Sequence, residues 1–234
     1  MHESAARILP VEPVEPFAPV TPDRPASDRA ATVLQLRRAV AQAGVESSPH
    51  VGAPLPVAPG LEQLLPDGAL RRGTVVEVAG SPALAIALAA ASIQAGAWAA
   101  CVGLPTLGWS AASVAGWNLS RVVAVTPSVR RWSGVMAALV DAMDLLLIGP
   151  DPAPSAAEAR RLHARARERG AVLLLVGGAR SGWEDRADVR LRAVTNAWSG
   201  VGQGWGHLES VRMVVECSGR RAASRSRRIE VDLP

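Results

Sequence analysis

Side chains that titrate, attack or ligate are scarce in this chain. Its 25 basic residues are all arginine, and without lysine there is no phosphate-loop lysine, no Schiff base and no lysine general base. The four histidines, His2, His50, His163 and His207, are scattered, and neither they nor Cys101 and Cys217 have metal-ligand spacing. No Gly-x-Ser-x-Gly elbow occurs, and Ser199, between Trp198 and Gly200, lacks any context that would activate its hydroxyl. Asp141 and Asp144 stand at a helix-to-strand junction, where capping or turn duty is expected ahead of acid–base work. Both cysteines lie inside apolar, strand-like runs and read as buried thiols of a reducing cytoplasm. Neither an enzyme nor a resident metal or cofactor is expected.

The elements that would position a site follow from length and pattern. An apolar fraction of 49% over 234 residues supports a real core. The formal charge of +4 is modest, and the pI of about 10.6 reflects the absence of lysine and tyrosine. Nucleic-acid contact is permitted but not argued for. Residues 1–27 are Pro-rich and acidic, unlike a signal peptide, and read as an extended tail. Residues 28–46 predict a helix capped by Asp28, with Val33, Leu36, Val40 and Ala43 on one face and Gly44 at its end. Residues 47–59 carry four prolines and read as a linker, so the globular part is placed at 60–234.

Within that part, a β-branched run from Thr74 to Gly80, an Ala-rich helix from Pro82 to about Gln94 and a strand at Trp98–Leu104 make a βαβ unit. Pro82 to Leu104 is long enough to span a bilayer, but its character changes after Gly96, and a buried helix followed by a buried strand explains it better. A strand at Arg121–Thr126, a helix at Ser128–Ala142 and a fully apolar strand at Asp144–Gly149 come next. Ser155-Ala-Ala-Glu158 is a capping box opening a basic helix that ends at Gly170, before another apolar strand at Ala171–Val176. Asp188–Thr195, Leu208–Cys217 and Arg228–Leu233 then alternate polar and apolar residues with no helix between them, which predicts an antiparallel meander. The fold class is α/β: a mostly parallel mixed sheet flanked by helices, with a C-terminal antiparallel meander.

The order of these elements, and the strings Leu65-Pro66-Asp67-Gly68, Gly73 to Gly80, Met143 to Ile148, Ala171 to Val176 and Val189-Arg190-Leu191, resemble the RecA-type ATPase core over about residues 60–234. That resemblance implies a RecA-like fold and marks where a nucleotide would sit. The phosphate loop is shortened to Gly80-Ser81-Pro82-Ala83, with no lysine and with a proline in place of an amide donor. The Walker B strand ends in Gly149 and Pro150 instead of a carboxylate, Val102 to Thr106 contains no acid, and Gly177 and Gly178 replace the polar sensing residues. Four losses in one site predict a pseudo-ATPase. The loops that meet DNA in RecA would fall at 150–154 and 177–185, too short to wrap a strand, so DNA contact is expected to be weak or indirect.

A RecA-like core without its nucleotide site, behind a Pro-rich and helical extension, resembles the ImuA family of damage-tolerance proteins, and its all-Arg, Ala-rich composition the actinobacterial ImuA-prime branch. The resemblance implies a cytoplasmic adaptor of the SOS DNA-damage response, with no chemistry of its own. It would bind an ImuB-type inactive Y-family polymerase relative directly and an error-prone C-family polymerase indirectly, in mutagenic translesion synthesis. Self-association through the RecA-type surface is a further implication. The related SulA family, which inhibits cell division through FtsZ, is the alternative.

Two local segments could carry such binding. Asn196 to Gly206 holds Trp198 and Trp205 among four glycines, on what reads as a flexible connection between strands. The two indoles either stand out as partner anchors or fold back over the sheet. Arg220, Arg221, Arg225, Arg227 and Arg228 crowd the expected turn before the last strand, where they would meet an acidic partner or DNA phosphate, or simply be solvated. The arginines of the 155–170 helix read as a solvated face.

Overall fold

The structure is a computed structural model and describes residues 52–178, 182–183, 186–201, 206–220 and 225–233. The tail at 1–27, the predicted helix at 28–46, Trp205 and Arg221 lie outside the described residues. The elements run β1 (Val75–Ala79), α1 (Pro82–Gln94), β2 (Ala99–Val102), α2 (Trp109–Val114), β3 (Val122–Val125), α3 (Trp132–Ala142), β4 (Leu145–Ile148), α4 (Ala156–Arg169), β5 (Val172–Val176), β6 (Val189–Val201), β7 (Gly206–Gly219) and β8 (Arg227–Leu233). Among the described residues the strands form one eight-stranded sheet in the order β3-β2-β4-β5-β1-β6-β7-β8. From β3 to β6 neighbours are parallel; β7 and β8 add antiparallel.

Burial follows from this arrangement. Leu145–Ile148 and Val172–Val176 are buried at every position because helices cover both faces. Val76, Val78, Cys101, Leu147 and Leu174 face α1 and α2, while Val75, Ala100, Leu146 and Leu173 face α3 and α4. α1 is buried almost all round, which is why its sequence lacks a polar face. The Trp117 indole caps it on the outside, donating Nε1–H to Ile86 O at 2.9 Å. No helix among the described residues is long and apolar enough to cross a membrane. Toward β8 helical cover remains on one face only. Leu191, Met213, Val215 and Val231 are buried there, and their strand neighbours Arg192, Glu230 and Asp232 are exposed.

Differences from the sequence reading have local causes. The stretch placed in a linker contributes Leu55 and Val57 to the core; Leu55 pairs with Leu70, and Ser92 Oγ donates to Pro56 O at 2.6 Å. Packing therefore begins N-terminal of Gly60. α2 is unannounced in the sequence: six residues in the uncharged Ala79–Ser120 stretch, anchored by buried Ala112 alone. The helix expected from Ser128 starts at Trp132, after a single 3-10 turn at Val129–Arg131. The capping box is present as read, with Ser155 Oγ accepting from Glu158 N and Glu158 accepting from Ser155 N at 2.9 Å.

Candidate functional site

The C-terminal ends of the parallel strands are where a nucleotide binds in open α/β sheets. Here β1 passes into α1 through two residues, Gly80 and Ser81, with Pro82 at the first helical position. Gly80 has φ +85°, and a Cβ there would overlap Ala193 O of β6. The loop thus lies directly under the neighbouring strand, in a backbone conformation that suits glycine. Ser81 is buried, and its hydroxyl makes no capping bond to the helix.

The end of the Walker B-like strand is closed in the same way. A Cβ on Gly149 would overlap Gly103 O, and one on Gly103, at φ +64°, would overlap Asp151 O. Gly149 N also donates to Val102 O at 2.8 Å and Gly103 N to Val125 O at 2.9 Å. Main chain therefore fills the place where a metal-holding carboxylate would stand. The loops beyond close on each other too: Gly182 lies against Pro154 O, and Trp183 is buried beneath α3 and α4. Gly177 and Gly178 both donate to Val78 O, at 2.9 and 3.2 Å. A triphosphate with magnesium does not fit this donor set. The chain has no lysine, and among the described residues no group of three His, Cys, Asp or Glu could hold a metal ion. Gly103 is the partner that the sequence reading missed; its position before Leu104-Pro105 was the available signal.

The aspartates of the α3–β4 junction are ion-pair ties and not turn caps. Asp144, 7% exposed, accepts from Arg72 Nη1 at 2.7 Å and from Trp98 N at 3.0 Å. Asp141 takes Arg165 through two bonds, 2.7 and 2.5 Å, and Arg169 at 3.2 Å, clasping α3 to α4. Asp188, at the start of β6, accepts from Val75 N at 3.0 Å and faces His163 Nε2 at 3.6 Å. Burial works against its ionisation, but His163, the Val75 amide and Arg220 together hold its carboxyl below the ordinary range. Both cysteines are buried and free, and burial pushes the Cys101 thiol up to about 12. The three aspartates tie elements together at the starts of the strands, Asp144 just before β4 and Asp188 just before β6.

The expected binding segments are placed differently from one another. Asn196–Val201 is not a loop but part of β6, with Trp198 opposite Val211. β6 stops pairing with β1 at Arg192 and continues with β7 alone past the loop at Gly80, for nine residues or about 25 Å. On this arm Trp198 is 53% exposed and Val194, in a bulge, is 43% exposed. Arg220, Arg225, Arg227 and Arg228 are exposed at the other end of β7, where Arg220 N donates to Asp188 O. Arg228 is partly spent on Glu216, at 2.7 Å. Val211 is five residues from Glu216, opposite Arg228, and eight from Gly219, so the Trp and Arg features stand about 15–30 Å apart along β7.

The family model described as the MT3502 N-terminal domain matches residues 63–184. The uncharacterised protein Rv3395c of Mycobacterium tuberculosis is 34% identical over 163 residues, covering 67% of this chain and 80% of that protein. Among solved structures the chain is similar to the RadB recombinase, with a TM-score of 0.50 and 16% identity, over 74% of this chain and 92% of that one. The fold is RecA-like.

Proposed function

Since the chain belongs to the MT3502 N-terminal domain family and has a RecA-like fold, we propose that it is a non-catalytic adaptor of a mutagenic translesion DNA-synthesis complex. It binds an ImuB-type protein directly and an error-prone C-family polymerase through it. The observation that supports this reading is the close main-chain packing at Gly80, Gly103 and Gly149, at the strand ends where a RecA-type core would hold its nucleotide. A core kept without that chemistry is left with its surface as the working part. Trp198, half-exposed on β6, supplies an aromatic anchor of the kind that dominates protein interfaces. The assignment of the partner rests on the resemblance to the ImuA family.

The test is co-expression with an ImuB-type protein followed by size-exclusion chromatography. The reading expects a co-eluting complex that Trp198→Ala weakens while leaving the fold intact. If the chain elutes alone and instead suppresses FtsZ assembly, the division-inhibitor alternative replaces it.

A further inference from the structure

Past Arg192, β6 becomes an edge strand inside the sheet. Its pairing with β1 ends at Ala79 and Arg192, and Gly80 packs against Ala193 O. Among the described residues, the main chain from Val194 to Val201 pairs with no strand but β7. The two outer edges of the sheet are protected in familiar ways. β3 is only four residues long, and β8 carries Arg227, Arg228, Glu230 and Asp232 among its seven. Residues 193–201, by contrast, include no charged side chain. A free edge of that composition is a template for another strand.

The edge also has a centre. Register shifts fall between Ala193 and Thr195 and between Ser199 and Val201, which leaves Thr195–Ser199 as a regular run centred on Ala197. Antiparallel pairing of this run with itself, about a two-fold axis at Ala197, sets Thr195 against Ser199 and Trp198 against Asn196 of a second copy, on matching faces. No like charges meet. The two Trp198 residues then lie on the diagonal, about 7–8 Å apart, within reach of aromatic side chains. Trp198 is half-exposed although it shares a face with Val211 and Leu233, which are buried. In this register the row Leu233–Val211–Trp198 runs on through Asn196 to Met213 and Val231 of the second copy, residues buried within their own sheet.

We infer that two copies of this chain join through Thr195–Ser199 into one continuous antiparallel sheet, with the Trp198 of each covering that of the other. One short strand pair and two indoles make a small contact by the standard of obligate dimers, so the association is reversible. The inference does not depend on the partner proposed above; a partner anchored on Trp198 would compete with the second copy.

The experiment uses the full chain without any partner. Ala197→Cys places a thiol on the axis, where opposite Cα atoms are about 4.5–5.5 Å apart, within disulfide range. Ser199→Cys places one opposite Thr195 of the second copy, with its own counterpart about 13 Å along the strand. Under mild oxidation, Ala197→Cys should give about tenfold more disulfide-linked dimer than Ser199→Cys or the native chain, whose two cysteines are buried. Sedimentation equilibrium should show a monomer–dimer equilibrium whose Kd rises about fivefold in Ala197→Glu. That carboxylate stands opposite Arg212 in its own chain, which suits the fold, but meets itself across the axis. Equal cross-linking of the two cysteine variants, a native chain that stays monomeric at ~0.2 mM, or a Kd indifferent to Ala197→Glu would overturn the inference.

Discussion

Gly80 and Gly60 make a matched pair for testing whether β6 closes the strand ends. Both have positive φ, +85° and +87°, but a Cβ at Gly80 would overlap Ala193 O, whereas one at Gly60 meets nothing within 4 Å. Alanine at either position incurs the left-handed backbone cost, about 1 kcal/mol. At position 80 the neighbouring strand must also shift, and forcing extra volume into packed backbone adds about 2 kcal/mol. The unfolded-state effect of Gly→Ala is common to both and cancels. In a domain of this size 1 kcal/mol corresponds to about 2–4 °C. Gly60→Ala should therefore lower Tm by about 3 °C and Gly80→Ala by about 9 °C, measured side by side by circular dichroism. Equal losses would mean that β6 does not lie on the loop, and would refute the argument that main chain fills the site.

Two further outcomes follow from the charged groups. Glu158 is held at about 2 by its hydrogen bonds to Ser133 and Ser155, below the ~4.3 of an unfolded glutamate. Its contribution is complete above pH ~4.3 and is lost as the pH falls toward 2, so Glu158→Gln should flatten the decline of Tm across that window; an unaltered pH profile would argue against these hydrogen bonds to the ionised carboxylate. Asp144→Ala leaves Arg72 and the Trp98 amide without their buried acceptor and should cost about 3 kcal/mol in urea unfolding, while a loss under ~1 kcal/mol would show that the tie contributes little.

Much of the fold was legible in the residue pattern because hydrophobic periodicity reports burial directly. Val172–Val176 reads as a doubly covered strand, and Ser155 with Glu158 reads as a helix start. Both are in place. The extent of β6 was hidden for a physical reason: Gly200, Gly202, Gly204 and Gly206 resemble a flexible loop in the sequence, and they mask the continuation of the strand past Thr195. The role of Gly80 and Gly149 was half legible. The missing lysine and carboxylate show in the sequence, but that neighbouring backbone packs against Gly80 and Gly149 depends on the register of β6 on β1 and of β2 on β4, which composition does not encode. Likewise, nothing in the spacing of Trp198 and Arg220 reveals that one lies level with the middle of β7 and the other just past its end.

The central claim, a RecA-like core that works without nucleotide, is tested most directly by thermal unfolding of the full chain with ATP and magnesium titrated into the millimolar range. The account predicts a Tm that does not move at any concentration. A bound nucleotide at a hundred times its Kd would add about 2.7 kcal/mol. A saturable rise of about 5–10 °C would therefore contradict it.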